Sequence, residues 1–160
     1  MTAMTTSSTS SASRSARWAA PVQMAGATLI GLIGAAHLLV VHVFSGADST
    51  GEEVINELSR STTTTLFDGG RRITVFDLNT GYSVGMGLFG LLFGLLVISA
   101  VRAAPQLIAR WSFFNVICVA MAGGTCWIAA LYFPEPVIVV SALATLCFAA
   151  VLVAGPVEHS

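Results

Sequence analysis

The stretch NTGYSVGMGLFGLLFGLL, Asn79 to Leu96, decides how this chain folds. It is apolar enough to enter a bilayer, yet Gly81, Gly85, Gly87, Gly90 and Gly94 occupy positions where each glycine weakens a helix by about 1 kcal/mol relative to alanine. In lipid, joining two helices brings no hydrophobic gain. Association rests instead on close backbone approach over small residues, with dispersion contacts and interhelical hydrogen bonds. These glycines, with Gly81/Gly85 and Gly90/Gly94 at GxxxG spacing, therefore read as packing surface.

On a helical wheel with Gly81 at zero, Asn79, Ser83, Gly87, Gly90 and Gly94 fall between about 160° and 240°, and Gly81 and Gly85 at about 0° and 40°. Two small faces predict a central helix touching neighbours on both sides, with Gly90→Leu and Gly94→Leu disrupting the fold. An earlier apolar run supplies a matching stripe. With Gly26 at zero, Ala27, Gly31, Gly34, Ala35, Leu38 and His42 lie between about 80° and 180°. Antiparallel neighbours meeting at equal depth set Gly34 against Gly90 and Gly31 against Gly94. The same register brings His42 beside Asn79 and Ser83, so a hydrogen bond from His42 to one of them is expected. His37 points about 110° from the middle of the stripe, toward another helix or the interior, and is the better ligand candidate.

Composition places the whole chain in a membrane. Of 160 residues, 55% are hydrophobic and 9% charged, against roughly 25% charged in soluble domains, and mean hydropathy is +0.83. Four runs approach the roughly 20 residues that cross a hydrocarbon core: Pro21 to Phe44, Tyr82 to Val101, Trp111 to Phe133 and Val137 to Ala154. The reading is an all-α membrane protein, a four-transmembrane-helix up-and-down bundle with one polar extracytoplasmic loop, residues 45–81, between the first two spans. Residues 1–17, rich in Ser and Thr, read as a disordered tail, and 156–160 as a short C-terminal one. The first run is too long for the apolar region of a signal peptide. Arg14, Arg17, Arg102 and Arg110 lie on one side and Arg60, Arg71 and Arg72 on the other, which favours both termini in the cytoplasm of an inner (plasma) membrane. No basic tract points to nucleic acid; the partners implied are the lipid bilayer and a second copy or another membrane protein.

Within the loop, Thr50 and Glu53 have capping-box spacing ahead of Val54, Ile55 and Leu58, predicting a short amphipathic helix near 52–60. Residues 62–65 and 73–76 favour extended structure around a turn at Asp68-Gly69-Gly70. Arg71, Arg72 and Asp77, just above the second span, are candidates for an ionic solute site, beside the alternative of a solvated loop. The last three spans contain no Asp, Glu, Lys, Arg or His, which argues against a carboxylate relay. His37 and His42 are the exceptional ionisable groups, about 140° apart, so from a regular helix they cannot jointly hold one metal ion. Haem ligation by one of them and a plain interhelical hydrogen bond are both open. Asn115 reads as a helix-to-helix hydrogen bond. No cofactor motif and no metal motif is present, Cys118, Cys126 and Cys147 read as small buried residues, and no nucleophile lies near a base in the polar segments.

A span carrying a histidine, a polar loop and the Gly-Tyr-Ser-x-x-Met-Gly entry of GYSVGMG resemble small bacterial four-helix membrane proteins of the DoxX-like neighbourhood, over roughly His37 to Leu96. Some DoxX relatives are associated with quinone-linked oxidoreductases, so the resemblance implies a redox alternative. Three functions follow in order of expectation: a non-enzymatic packing or assembly component, a quinone- or haem-binding subunit using His37 or His42, and an oligomeric solute transporter or channel.

Overall fold

The computed structural model describes residues 10–44, 46 and 49–157. Four of its helices are long and apolar enough to cross a membrane: α1 (Ser10–His42), α3 (Val75–Ala103), α4 (Phe113–Tyr132) and α5 (Glu135–Ala154), with the short α2 (Thr50–Ser61) between the first two. Helix α1 begins at Ser10, so residues 10–17 are not the disordered tail the sequence suggests. Extending an existing helix through Ser, Ala and Arg costs little once the turn beyond it is nucleated. The rest of that tail, residues 1–9, lies outside the described residues. Pro21 consequently sits inside α1, where it removes one backbone hydrogen bond.

Helix α3 also starts early, seven residues before Tyr82. Thr74 caps it, its hydroxyl accepting from the Asp77 backbone N–H at 3.0 Å, and the Asp77 carboxylate lies in the first turn, where the helix dipole favours negative charge. Asp77, Asn79 and Gly81 are thus helical rather than loop residues. At the other end of α3 a single 3-10 turn, Pro105–Ile108, leads to Trp111, whose φ of 59° reverses the chain in the left-handed region. That strained residue is held by its N–H donating to the Leu152 carbonyl at 3.1 Å. Ser112 then caps α4, and Pro134 and Glu135 open α5.

The spans pack in the order α3, α1, α5, α4. The two inner positions belong to α1 and α5, and the expectation of a central α3 fails. A methyl carbon placed on Gly81 would find nothing within 4 Å, and one on Gly85 only the Phe89 ring at 4.0 Å, so the second small face of α3 meets no helix. On its other face the expected register holds. A methyl at Gly34 would collide with the Leu91 amide nitrogen and, at 2.5 Å, with the Gly87 carbonyl; one at Gly94 would lie 2.8 Å from the Gly31 Cα. Gly90 faces Gly34 at 3.4 Å in the same terms. These contacts run in opposite chain directions, so α1 and α3 are antiparallel. On its far side α1 meets α5, where Gly26 approaches Cys147 and Phe148. Phe148 is fully buried and meets Phe93 of α3 edge to face at 6.4 Å. Between α3 and α4 the row leaves an apolar groove of about 690 Å³, lined by Phe89, Leu92, Phe93, Leu96, Ser99 and Met121 among others.

At the loop end, the capping box of α2 is one residue earlier than its sequence spacing suggests. Ser49 is the cap: its N–H donates to Glu52 Oε2 at 2.7 Å, and the Glu52 N–H donates back to the Ser49 hydroxyl at 3.4 Å. Both Ser49/Glu52 and Thr50/Glu53 have the required three-residue offset, and the serine takes it. A two-residue antiparallel hairpin follows, β1 (Thr63–Thr64) pairing with β2 (Ile73–Thr74), Thr63 opposite Thr74. Its turn uses Gly69 at φ 77°. Arg60 ties α2 to α3 by lying 4.4 Å over the Phe76 ring.

Candidate functional site

The close approach of α1 and α3 brings three polar side chains together at the loop end. His37 Nε2 lies 2.9 Å from Ser83 Oγ, and His42 Nε2 lies 3.0 Å from the same oxygen. The bond expected from His42 goes to Ser83, not to Asn79. The expectation that His37 turns away is corrected. With Gly34 set against Gly90, Ser83 falls level with Val41 of α1, between the two histidines along the helix axis. A wheel angle describes where Cβ points, but an imidazole reaches further; Leu38, next to His37 in the chain, sets its side chain against Gly87. Both rings reach the one Ser83 hydroxyl. Their centroids are 6.0 Å apart at 75°, and the His37 ring also meets Phe133, beyond the end of α4, edge to face at 6.3 Å.

The hydroxyl has a single proton to donate, so for both contacts to be hydrogen bonds at least one Nε2 must carry hydrogen. His42 is exposed and His37 and Ser83 half-buried, so the cluster opens to the loop end. Ser83 Oγ lies within 3.0 Å of both Nε2 atoms, where a macrocycle with both rings as axial ligands would have to sit. The cluster also places a hydroxyl beside two bases, a pairing the polar segments by themselves do not contain.

The other candidates stay apart. Arg72 donates across the hairpin to the Thr63 hydroxyl at 3.1 Å, while Arg71, Asp77 and Asn79 are exposed and, among the described residues, no ion pair joins the two arginines to Asp77. Glu52 is the loop group with a displaced carboxyl: the Ser49 backbone N–H and then its hydroxyl hold it below the usual carboxylate range. Among the described residues no group of three or more His, Cys, Asp and Glu side chains could hold a metal ion.

Two buried polar side chains lie toward the opposite end, Asn115, which the sequence singles out, and Gln23, which it does not. Gln23 is fully buried with neither amide atom hydrogen-bonded, and Asn115, also buried, leaves Oδ1 unpaired. Asn115 Nδ2 donates to the Ala109 carbonyl at 2.9 Å, so it fastens the start of its own helix rather than bridging two. The signal for Gln23 was its spacing with Ala19, Ala27 and Ile30, a helical stripe that is buried throughout. No protein family model, curated protein or solved structure matches the chain.

Proposed function

We propose that this chain is a non-enzymatic, multi-pass component of a cell membrane that works by packing against a second copy of itself or another membrane protein, with α3 as the contact helix. The observation that carries this reading is the unpartnered face of α3. Gly81 and Gly85 have open space beside them, Leu92 and Leu96 on the same side are exposed, and small residues in a membrane helix favour close approach of another backbone. Arginine placement supports an inner-membrane arrangement with both termini in the cytoplasm and the α2 hairpin segment outside; labelling of single cysteines from each side of the membrane tests it.

Association is read by native mass spectrometry of the chain released from lipid nanodiscs, with the thermal transition measured in parallel. The expected result is an oligomer or a stoichiometric partner, lost in Gly85→Leu with the thermal transition unchanged. A strict monomer that recovers no partner overturns the reading.

The histidine pair favours a second reading, a quinone-binding subunit, which is also what a DoxX-like resemblance implies. His42 and Ser83 would hydrogen-bond the quinone carbonyls at the membrane surface. Copurifying quinone, lost in His42→Gln, is the expected observation for that reading, and a quinone-free protein removes it.

A further inference from the structure

Two imidazoles on one hydroxyl exceed what pairing α1 with α3 requires. A single hydrogen bond would close the top of the glycine contact, and Leu38 already fills the space against Gly87. What the pair supplies is two imidazole nitrogens within 3.0 Å of one oxygen. We propose that His37 and His42, with Ser83 beside them, bind a monovalent copper ion at the loop end of the α1–α3 contact.

The donor set selects the ion. Two imidazole nitrogens and one hydroxyl oxygen, each nitrogen near 3 Å from that oxygen, supply three ligands at most. A tetrahedral zinc site needs four ligands, so this set leaves a position to fill. Calcium and magnesium demand oxygen ligands and charge, and among the described residues no carboxylate bonds either histidine. A filled-shell monovalent copper ion accepts two or three ligands at wide angles, and imidazole suits copper. Ser83 Oγ, already near 3 Å from both nitrogens, becomes a weak third ligand. The ring that donates to Ser83 in the ion-free state carries its hydrogen on Nδ1 when the ion is bound, which frees its Nε2 as a ligand. His42 is exposed, which gives the ion an entry route and makes the site exchangeable.

The proposal is independent of the packing role of α3. The test uses the full chain with a histidine-free affinity tag, purified in detergent. Cu⁺ is titrated under anaerobic reducing conditions against a chromogenic Cu⁺ chelator, and Zn²⁺ is titrated separately. One Cu⁺ per chain is expected, with affinity at least tenfold weaker in His37→Gln and in His42→Gln, and weaker Zn²⁺ binding. Should those variants fail to fold, X-ray absorption at the copper edge of the unmodified chain decides: nitrogen scatterers with imidazole signature are expected, and sulfur scatterers place the ion elsewhere. The proposal is overturned by the absence of stoichiometric Cu⁺, by equal retention in the double variant, or by Zn²⁺ binding the tighter of the two.

Discussion

A methyl group at Gly34 would point into the backbone of α3, at the Leu91 nitrogen and the Gly87 carbonyl, and backbone cannot swing aside as a side chain can. At Gly87 the same methyl meets the Leu38 side chain, at 2.8 Å from its Cγ, and the Gly34 carbonyl only at 3.2 Å, and at Gly85 almost nothing. Alanine substitutions should therefore rank rather than merely destabilise. Gly34→Ala and Gly94→Ala are expected to cost about 1–3 kcal/mol through forced separation of the helices, Gly87→Ala less, and Gly85→Ala close to zero. Equilibrium unfolding in mixed detergent micelles gives the order, and equal losses at Gly34 and Gly85 would contradict the contact. Ser83→Ala leaves two imidazoles without their shared partner and should cost roughly 0.5–2 kcal/mol on the same scale.

At the scale of the element, α2 stands on its cap. It buries none of its residues, and Val54, Ile55 and Leu58 are all exposed, so the Ser49 and Glu52 exchange carries much of its local stability. Ser49→Ala should weaken the helix by about 1 kcal/mol, seen as faster amide exchange over residues 50–61. The carboxyl of Glu52 is held below its usual range in the folded chain. Its contribution is present above the unfolded value and is lost as pH falls through the lower, folded one. Protection of the α2 amides should therefore drop on acidification through the carboxylate range and stay level between neutral and mildly alkaline pH; exchange rates followed against pH, with Glu52→Gln as the flat control, check the sign. Where such local chemistry is unambiguous, the sequence was readable: apolar length foretold the four spans, and equal-depth pairing of two glycine stripes foretold Gly34 against Gly90. It was less readable where two local answers compete, as with Ser49 and Thr50, or where a long side chain reaches past its wheel position, as with His37.

Which helix occupies the middle is a property of the whole molecule, and no single stripe reveals it. Small residues on α3 look the same whether a neighbour covers them or not, and only the tertiary arrangement shows that the Gly81 and Gly85 face is bare while α1 is engaged on two sides. The position of α1 can be checked directly. A methyl carbon at Gly26 would lie 3.1 Å from Cys147 Cβ, a few tenths of an ångström under the Cβ–Cβ spacing of about 3.5–4.5 Å that a disulfide takes. Gly26→Cys should crosslink to the native Cys147 on mild oxidation, and mass mapping should show no bridge from it to Cys118 or Cys126; a bridge to either would move α1 out of the middle.

Of the two inner helices, α1 is made first and α5 last. On the ribosome α1 emerges well before α5, and at 5–20 residues per second the interval between them is roughly 5–20 s. Throughout that time the glycine stripe has lipid or an insertion factor for company until α3 arrives. The Gln23 amide waits longer still, because its shielding is completed only by the last two helices. The interior of this protein is thus closed only when α5 arrives, its first helix remains half-dressed in the bilayer until then, and any delay late in translation lengthens the exposure of the earliest part of the fold.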